Sequence, residues 1–387
     1  MYEFCTTPRV NDAADPDNPY EQFNYGGELY GLIKDQLSSC LNDWTSALAR
    51  EGGPHQFIGK YLMLWSRFKE IITILEAVFS YLERFWIGFV IEEGNRKGIH
   101  YIRPLMYILW ADLILRANET VFEDFLKELH SLDKEGKLKM KQVADSFKFL
   151  SVPVVVAHKP SSKVLTEVFI FEKSLLPMYC THLGQMYDKK TAELLAASNI
   201  SLPQVKSMCG YWKAELALAG EVFGSETLPF VKDVLKKHML DPVRERIYAL
   251  FEHYLVHEAN PLAQLKSIFD LLIIRNSLLR PLGEYFERGL VKRLVLAHPK
   301  IPSPEDGPGE YFAFFQSLRK LYDEANELIS DAFHDSEHLT AARDAAFKKI
   351  LAQNGAVAEN LALWANELLL STEVDTSSLD FIVSVIP

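Results

Sequence analysis

An all-α fold is predicted by three features of the 387-residue chain. Apolar residues recur at steps of three and four almost throughout, which is the period of one helix face. The breaks between these stretches are short and carry Gly, Pro and Ser, as in EGGP at 51–54, HKPSS at 158–162 and PKIPSPEDGPG at 299–309. No convincing run of alternating β-branched residues competes, and SVPVVV at 151–156 is the one plausible extended segment.

The elements follow in order. A helix over 25–46 is succeeded by a long one in which Tyr61, Trp65, Phe68, Ile72, Leu75, Phe79, Leu82 and Trp86 lie on one face. A second stripe, Ile71, Ile74, Val78, Tyr81 and Phe85, runs beside it, so this helix must be covered on two sides. Further helices are predicted at 99–117, 119–132, 134–148 and 162–187, the last with Pro177 as a bend or a start. Then come 189–198, 201–222, 225–239, 241–257, 260–276, 278–298, 309–335, 337–354, 357–371 and a short start near 377. Residues 7–24 read as the one real loop. About fifteen helices with short connections cannot share one bundle core, so an elongated stack of helical units is expected. No clean fixed period is visible, so any repeats are degenerate.

Composition bounds the function. Hydrophobic residues make up 48% and charged residues 24%, an ordinary globular balance. The formal net charge is −11 and no Lys/Arg-rich run occurs, so the long-range field repels phosphate backbones and anionic lipid; neither nucleic acid nor a membrane surface is expected as a partner. Cys5, Cys40, Cys180 and Cys209 are too far apart for a C-x-x-C pair and read as reduced thiols of a cytoplasmic or nuclear protein. The start, MYEFCTTPRVNDAADPDN, lacks the charged and apolar regions of a signal peptide. The two most apolar stretches carry Glu76, Glu83 and Arg84, and Arg103, Asp112 and Arg116, and so read as buried helices rather than membrane spans.

Chemistry is not visible. The chain contains no G-x-x-x-x-G-K-[ST], no G-x-G-x-x-G and no G-x-S-x-G. His253 and His257 are spaced i,i+4, as are His334 and His338, which on a helix would put two imidazoles on one face. Neither pair reads H-E-x-x-H and neither has an evident third ligand, so no metal site is assigned and a metal-dependent hydrolase is not favoured. Glu92 and Glu93, and the acidic loop holding Glu305, Asp306 and Glu310, read as a solvated helix end and a surface loop. Phe312, Phe314 and Phe315 follow a Gly-Pro-Gly turn at helical spacing and read mainly as core. No catalytic residue and no cofactor are expected.

Several quoted segments, taken together, resemble one family. GKYLMLWSRFKEIITILEAVFSYLERFWI resembles the cullin pattern in which a Tyr-x-x-x-Trp helix leads into Y-L-x-R-x-W-V, here Tyr81, Leu82, Glu83, Arg84, Phe85, Trp86 and Ile87. RKGIHYI at 96–102 resembles the turn K-G-I-Y-x-I, and ILWADLILR at 108–116 the helix with an internal Trp-x-Asp. LTEVFIFEKSLLPMY at 165–179 places Phe171 and Glu172 in the Phe-Glu positions of F-E-x-x-F-L-x-x-T. SDAFHDSEHLTAARDAAFKKILAQN at 330–354 and AENLALWANELLL at 358–370 are similar to later segments in the same order.

The resemblance, strongest to the cullin of F-box ubiquitin ligases, implies a non-catalytic stalk of three stacked cullin repeats over 1–158, 159–258 and 259–387. Such a stalk binds a BTB-fold adaptor with its F-box substrate receptor at the N-terminal tip and holds substrate away from the RING and conjugating-enzyme end. It implies an adaptor contact through Met1, Phe4, Tyr81, Arg84 and Phe85, with MYEFCT as the remainder of the first contacting helix. RING binding would belong to a C-terminal domain absent from these residues, and a cullin-exchange factor is a further implied partner. Glu83 and Phe85 stand where the family has Asn and His, which changes the charge and hydrogen bonding of that helix and hence the choice of adaptor. Two alternatives remain: a helical rod of the vesicle-tether type, which would need a basic lipid-binding patch, and a shortened cullin that sequesters adaptors.

Overall fold

The computed structural model describes residues 24–92, 98–158, 162–197, 199–274, 276–298, 302, 308–352 and 356–370. Met1, Phe4, Cys5, Glu93, Glu305, Asp306 and the helix start expected near 377 lie outside the described residues. The chain divides into two units, one formed by 1–186 with 216–234 and the other by 187–215 with 235–387.

In the first unit α1 (Asn24–Leu48) precedes α2 (Pro54–Val78), which has proline in its first turn, where the missing N–H costs nothing. The long helix expected to carry Tyr61 through Trp86 on one face is interrupted at Phe79, whose φ of −98° and ψ of 15° end α2. One turn at Ser80–Leu82 leads into a π-helical turn at Glu83–Ile87 and then α3 (Gly88–Glu92). Next come α4 (Ile102–Trp110), a second π turn at Ala111–Leu115, α5 (Glu119–Lys127) and α6 (Lys134–Phe149). Asp133 caps α6, its carboxylate accepting from the Gly136 N–H at 2.8 Å.

A correction falls on 162–169. These residues are strand β2 (Ser162–Phe169), not helix, paired antiparallel with β1 (Ser151–His158) in a register that sets Val154 opposite Thr166. The extended segment foreseen at 151–156 is therefore real, and its partner alternates Val164, Thr166 and Val168 with other residues. That period-two pattern belongs to a strand. Helix resumes through a π turn at Phe171–Leu175, directly ahead of Pro177, and runs on unbroken as α7 (Leu176–Ala196) through the break expected near 188. A proline cannot donate to the carbonyl four residues earlier, and the wider turn takes up that mismatch.

The core of this unit gathers on Trp110. Its ring lies 4.2 Å from Phe68, 5.4 Å from Trp65, 5.9 Å from Tyr61 and 6.2 Å from Trp44. Phe122 joins from α5, 5.0 Å from Tyr61 and 5.3 Å from Phe147. The Tyr61 hydroxyl, fully buried, is satisfied by Ser146 at 2.7 Å.

The second unit takes up α7 from Tyr187 and α8 (Leu202–Phe223) as far as Glu215, followed after Val234 by a π turn at Lys236–Leu240. It continues with α10 (Arg244–His257), α11 (Leu262–Leu272), α12 (Leu279–Ala297), α13 (Pro308–Asp331), α14 (Glu337–Leu351) and α15 (Ala356–Leu370), α9 being Leu228–Leu235 at the preceding boundary. Phe333 is its aromatic centre, 5.2 Å from Phe269, 5.6 Å from Phe286 and 5.8 Å from Phe251. Phe314 and Phe315 are fully buried, as their spacing predicts.

One device recurs in both units. Helix C-termini leave carbonyls without partners, and here a cation from another helix satisfies them. Lys60 donates to Ala47 O at 3.1 Å, and Lys148 donates to Phe223 O. Arg246 donates to Leu195 O at 3.1 Å and Ala197 O at 2.6 Å, Arg293 to Leu255 O at 2.8 Å, and Lys266 to Asp331 O at 2.9 Å.

Candidate protein-docking ridge

The segment 71–89 presents two faces with different fates. Ile72, Leu82 and Trp86 are buried in the first unit, and Leu75 and Phe79 are half-buried beside them. Trp86 packs 5.5 Å from Tyr30, whose hydroxyl accepts from the His100 N–H at 2.9 Å. The covering expected on both sides is found on one: among the described residues Ile74, Val78 and Tyr81 of the second stripe stay exposed, while Ile71 and Phe85 are half-buried. Ile74 is 59% exposed, Val78 50%, Tyr81 53% and Phe89 45%. Such a run of exposed large apolar side chains, seen among the described residues, makes this face the candidate docking surface.

Of the residues singled out in the sequence, Tyr81, Arg84 and Phe85 are brought together here. The Tyr81 and Phe85 rings stack at 5.8 Å with 16° between planes. The Arg84 guanidinium stands 5.4 Å over the Phe85 ring, and among the described residues no carboxylate pairs with it.

The changed hydrogen bonding expected at Glu83 is directed inward: its carboxylate turns back to accept from the Ile102 N–H at 2.8 Å, satisfying the first orphan donor of α4. Burial holds this carboxyl above the ordinary Glu range, the hydrogen bond from Ile102 opposing the shift. Seven residues earlier, near the end of α2, Glu76 takes Arg103 in a fork, with Nε at 2.6 Å and Nη2 at 2.5 Å. That pair holds Arg103 firmly charged.

Two residues at this place carried no signal in the sequence reading. Tyr101, 42% exposed, starts α4, and its hydroxyl lies 3.7 Å from where a Cβ on Gly88 would sit. Gly88 closes the π turn, and a Cβ there would meet Glu83 O at 3.2 Å. The acidic pair at i,i+7 on an apolar helix was the legible hint.

Neither histidine pair gathers a third ligand among the described residues. His253 and His257 have ring centroids 4.9 Å apart on α10. His334 and His338 do not share a helix face, because His334 and Asp335 take positive φ of 50° and 54° in the turn between α13 and α14. Among the described residues no three His, Cys, Asp or Glu side chains come together to hold a metal. In the second unit a groove of about 370 Å³ between α7 and α8 is lined by Lys190, which stands 4.2 Å over Tyr211 and 5.1 Å over Tyr187. No helix among the described residues is long and apolar enough to cross a membrane.

Helices packed on one another in both units, with an aromatic ridge on the first, define an all-α protein. The family model of the cullin alpha solenoid domain matches residues 1–381, and the chain belongs to the cullin family. It is 20% identical over 366 residues to Cullin-1 of Dictyostelium discoideum, covering 92% of this chain and 45% of that protein. It is 22% identical to Cell division control protein 53 of Saccharomyces cerevisiae (83% of this chain, 40% of that protein). Cullin-1 of Schizosaccharomyces pombe is likewise 22% identical (92% of this chain, 46% of that protein). The chain thus spans about half the length of the curated relatives it matches.

Proposed function

We propose that this chain is the non-catalytic scaffold of a cullin-type ubiquitin ligase, and that Tyr81, Arg84 and Phe85 dock a BTB-fold adaptor carrying an F-box substrate receptor. The observation that carries the reading is the division of faces on 71–89. Leu82 and Trp86 are committed to the core, whereas Tyr81 is 53% exposed and stacks on the half-buried Phe85. Aromatic and Arg side chains are the residue types that anchor such interfaces. The matches to Cullin-1 and Cell division control protein 53 support the ligase assignment, and the colinear segment resemblance supports the adaptor class. In this reading the adaptor stands at one end of three repeats, 1–158, 159–258 and 259–387, and RING recruitment belongs to the region that the resemblance places beyond these residues.

The test is co-purification with a BTB-fold adaptor bound to an F-box peptide. Wild type is expected to hold the adaptor, and Tyr81→Ala with Phe85→Ala to release it while circular dichroism stays unchanged. A folded wild-type chain that retains no such adaptor overturns the proposal. Liposome flotation of the same sample addresses the vesicle-tether alternative.

A further inference from the structure

We infer that the docking ridge extends onto a second helix through Tyr101, that Glu83 and Glu76 position this extension, and that the partner surface it fits is an apolar cleft with a carboxylate on its rim. The inference rests on the docking function proposed above.

The first support is geometric. Tyr101 stands at the start of α4 and is 42% exposed, next to Gly88 on the helix that carries Phe85 and Phe89. An isolated exposed tyrosine means little, but this one continues an apolar face already formed by Val78, Tyr81 and Phe89. Its hydroxyl lies 3.7 Å from where a Cβ on Gly88 would sit, ordinary van der Waals distance, so the ring rests against that helix.

The second is the fastening. A side chain on a helix end presents a defined contact only if that end is fixed, because ordering it during binding costs affinity. Two carboxylates from the ridge helix fix the start of α4: Glu83 holds the Ile102 N–H at 2.8 Å and Glu76 forks onto Arg103. Tyr101, Ile102 and Arg103 are consecutive, so both fastenings bear on the residue that carries the contact. Glu83 and Glu76 act through α4 and need not touch the partner.

The third is electrostatic. With Glu76 committed to Arg103 and Glu83 to a backbone N–H, neither acid compensates Arg84. The exposed face is therefore apolar with one cation held against Phe85. Complementarity then asks for an apolar cleft with an acidic rim, and predicts association that weakens with salt.

The experiment is a calorimetric titration of the full chain with a BTB-fold adaptor bound to an F-box peptide, at low and high salt, combined with hydrogen exchange at the Ile102 amide without partner. Tyr101→Ala is expected to weaken binding about tenfold, as loss of an interface anchor does. Arg84→Met is expected to weaken binding and flatten its salt dependence. Glu83→Ala should accelerate exchange at Ile102 and lower affinity, whereas Glu83→Gln, which keeps an oxygen acceptor, should restore both. If Tyr81→Ala abolishes binding while Tyr101→Ala leaves it unchanged, the two-helix ridge is overturned and the docking function stands. Faster exchange in Glu83→Ala at unaltered affinity overturns the positioning role, and a salt dependence unchanged by Arg84→Met overturns the acidic rim. A wild-type chain with a protected Ile102 amide that binds no adaptor removes the docking function, and the inference with it.

Discussion

Tyr81 and Phe85 stack at 5.8 Å on the outer side of a helix whose inner side delivers Trp86 to the core, 1% exposed. The pair is placed to serve binding more than stability. Tyr81→Ala removes a half-exposed ring and one aromatic contact, so the cost to folding is expected at about 0.5–1 kcal/mol. The same variant is expected to lose at least about tenfold in adaptor affinity. Thermal melts beside the titration separate the two quantities.

Trp110 behaves oppositely. It is fully buried and meets Trp44, Tyr61, Trp65 and Phe68, so truncation opens a cavity that several rings cannot close together. Trp110→Ala is expected to lower stability by about 3–5 kcal/mol. Urea unfolding followed by circular dichroism measures it.

Glu252 gives a pH prediction. It is 8% exposed and takes Lys292 at 2.6 Å and Arg288 through Nε at 3.0 Å. The hydrogen bond from Arg288, more than any other contact, holds its carboxyl below the ordinary Glu range. A depressed folded value contributes stability above the unfolded carboxylate pKa of about 4.3, and this is lost as pH falls through the folded value. Glu252→Gln is expected to cost about 1–2 kcal/mol near neutrality, the low end for a broken ion pair because both cations are half in water. Its stability curve should be flatter than wild type on acidification; denaturant midpoints across the acid range read this.

Gly289 marks the close approach of α12 to α10. A Cβ there would sit 2.6 Å from Leu255 Cδ2 and 3.3 Å from its Cγ, and Leu255 is fully buried. Alanine favours a helix interior over glycine by about 0.5–1 kcal/mol, but forcing a buried Leu to repack costs about 1–3 kcal/mol. Overpacking wins, so Gly289→Ala is expected to lower the melting temperature, and adding Leu255→Ala should relieve the clash in a double-mutant cycle.

Much of this was legible in the chain itself, because a helix writes its buried face into the sequence at steps of three and four. Tyr61, Trp65, Phe68, Ile72, Leu82 and Trp86 were assigned to one face and are buried there. The ridge residues Tyr81, Arg84 and Phe85 were named, and they do come together, while Met1 and Phe4 lie outside the described residues. Residues 162–169 were misread because Lys163, Leu165 and Glu167 suit either state. The cross-strand partner at 151–158, which decides for a strand, is a pairing that local periodicity does not contain.

The sequence by itself determined the all-α class and the inward faces, since these follow from spacing within single helices, and the family resemblance, not the spacing, pointed to Tyr81, Arg84 and Phe85 as an outward contact. Only the tertiary structure decided what Glu83 and Tyr101 do. Glu83 reads as a surface charge until the N–H of Ile102, nineteen residues away, arrives beside it. Tyr101 reads as one more tyrosine until α4 is seen fastened against the ridge helix by Glu83 and Glu76. Both roles are set by contacts between helices, and the polar partners that fix such contacts leave no periodic trace along the chain.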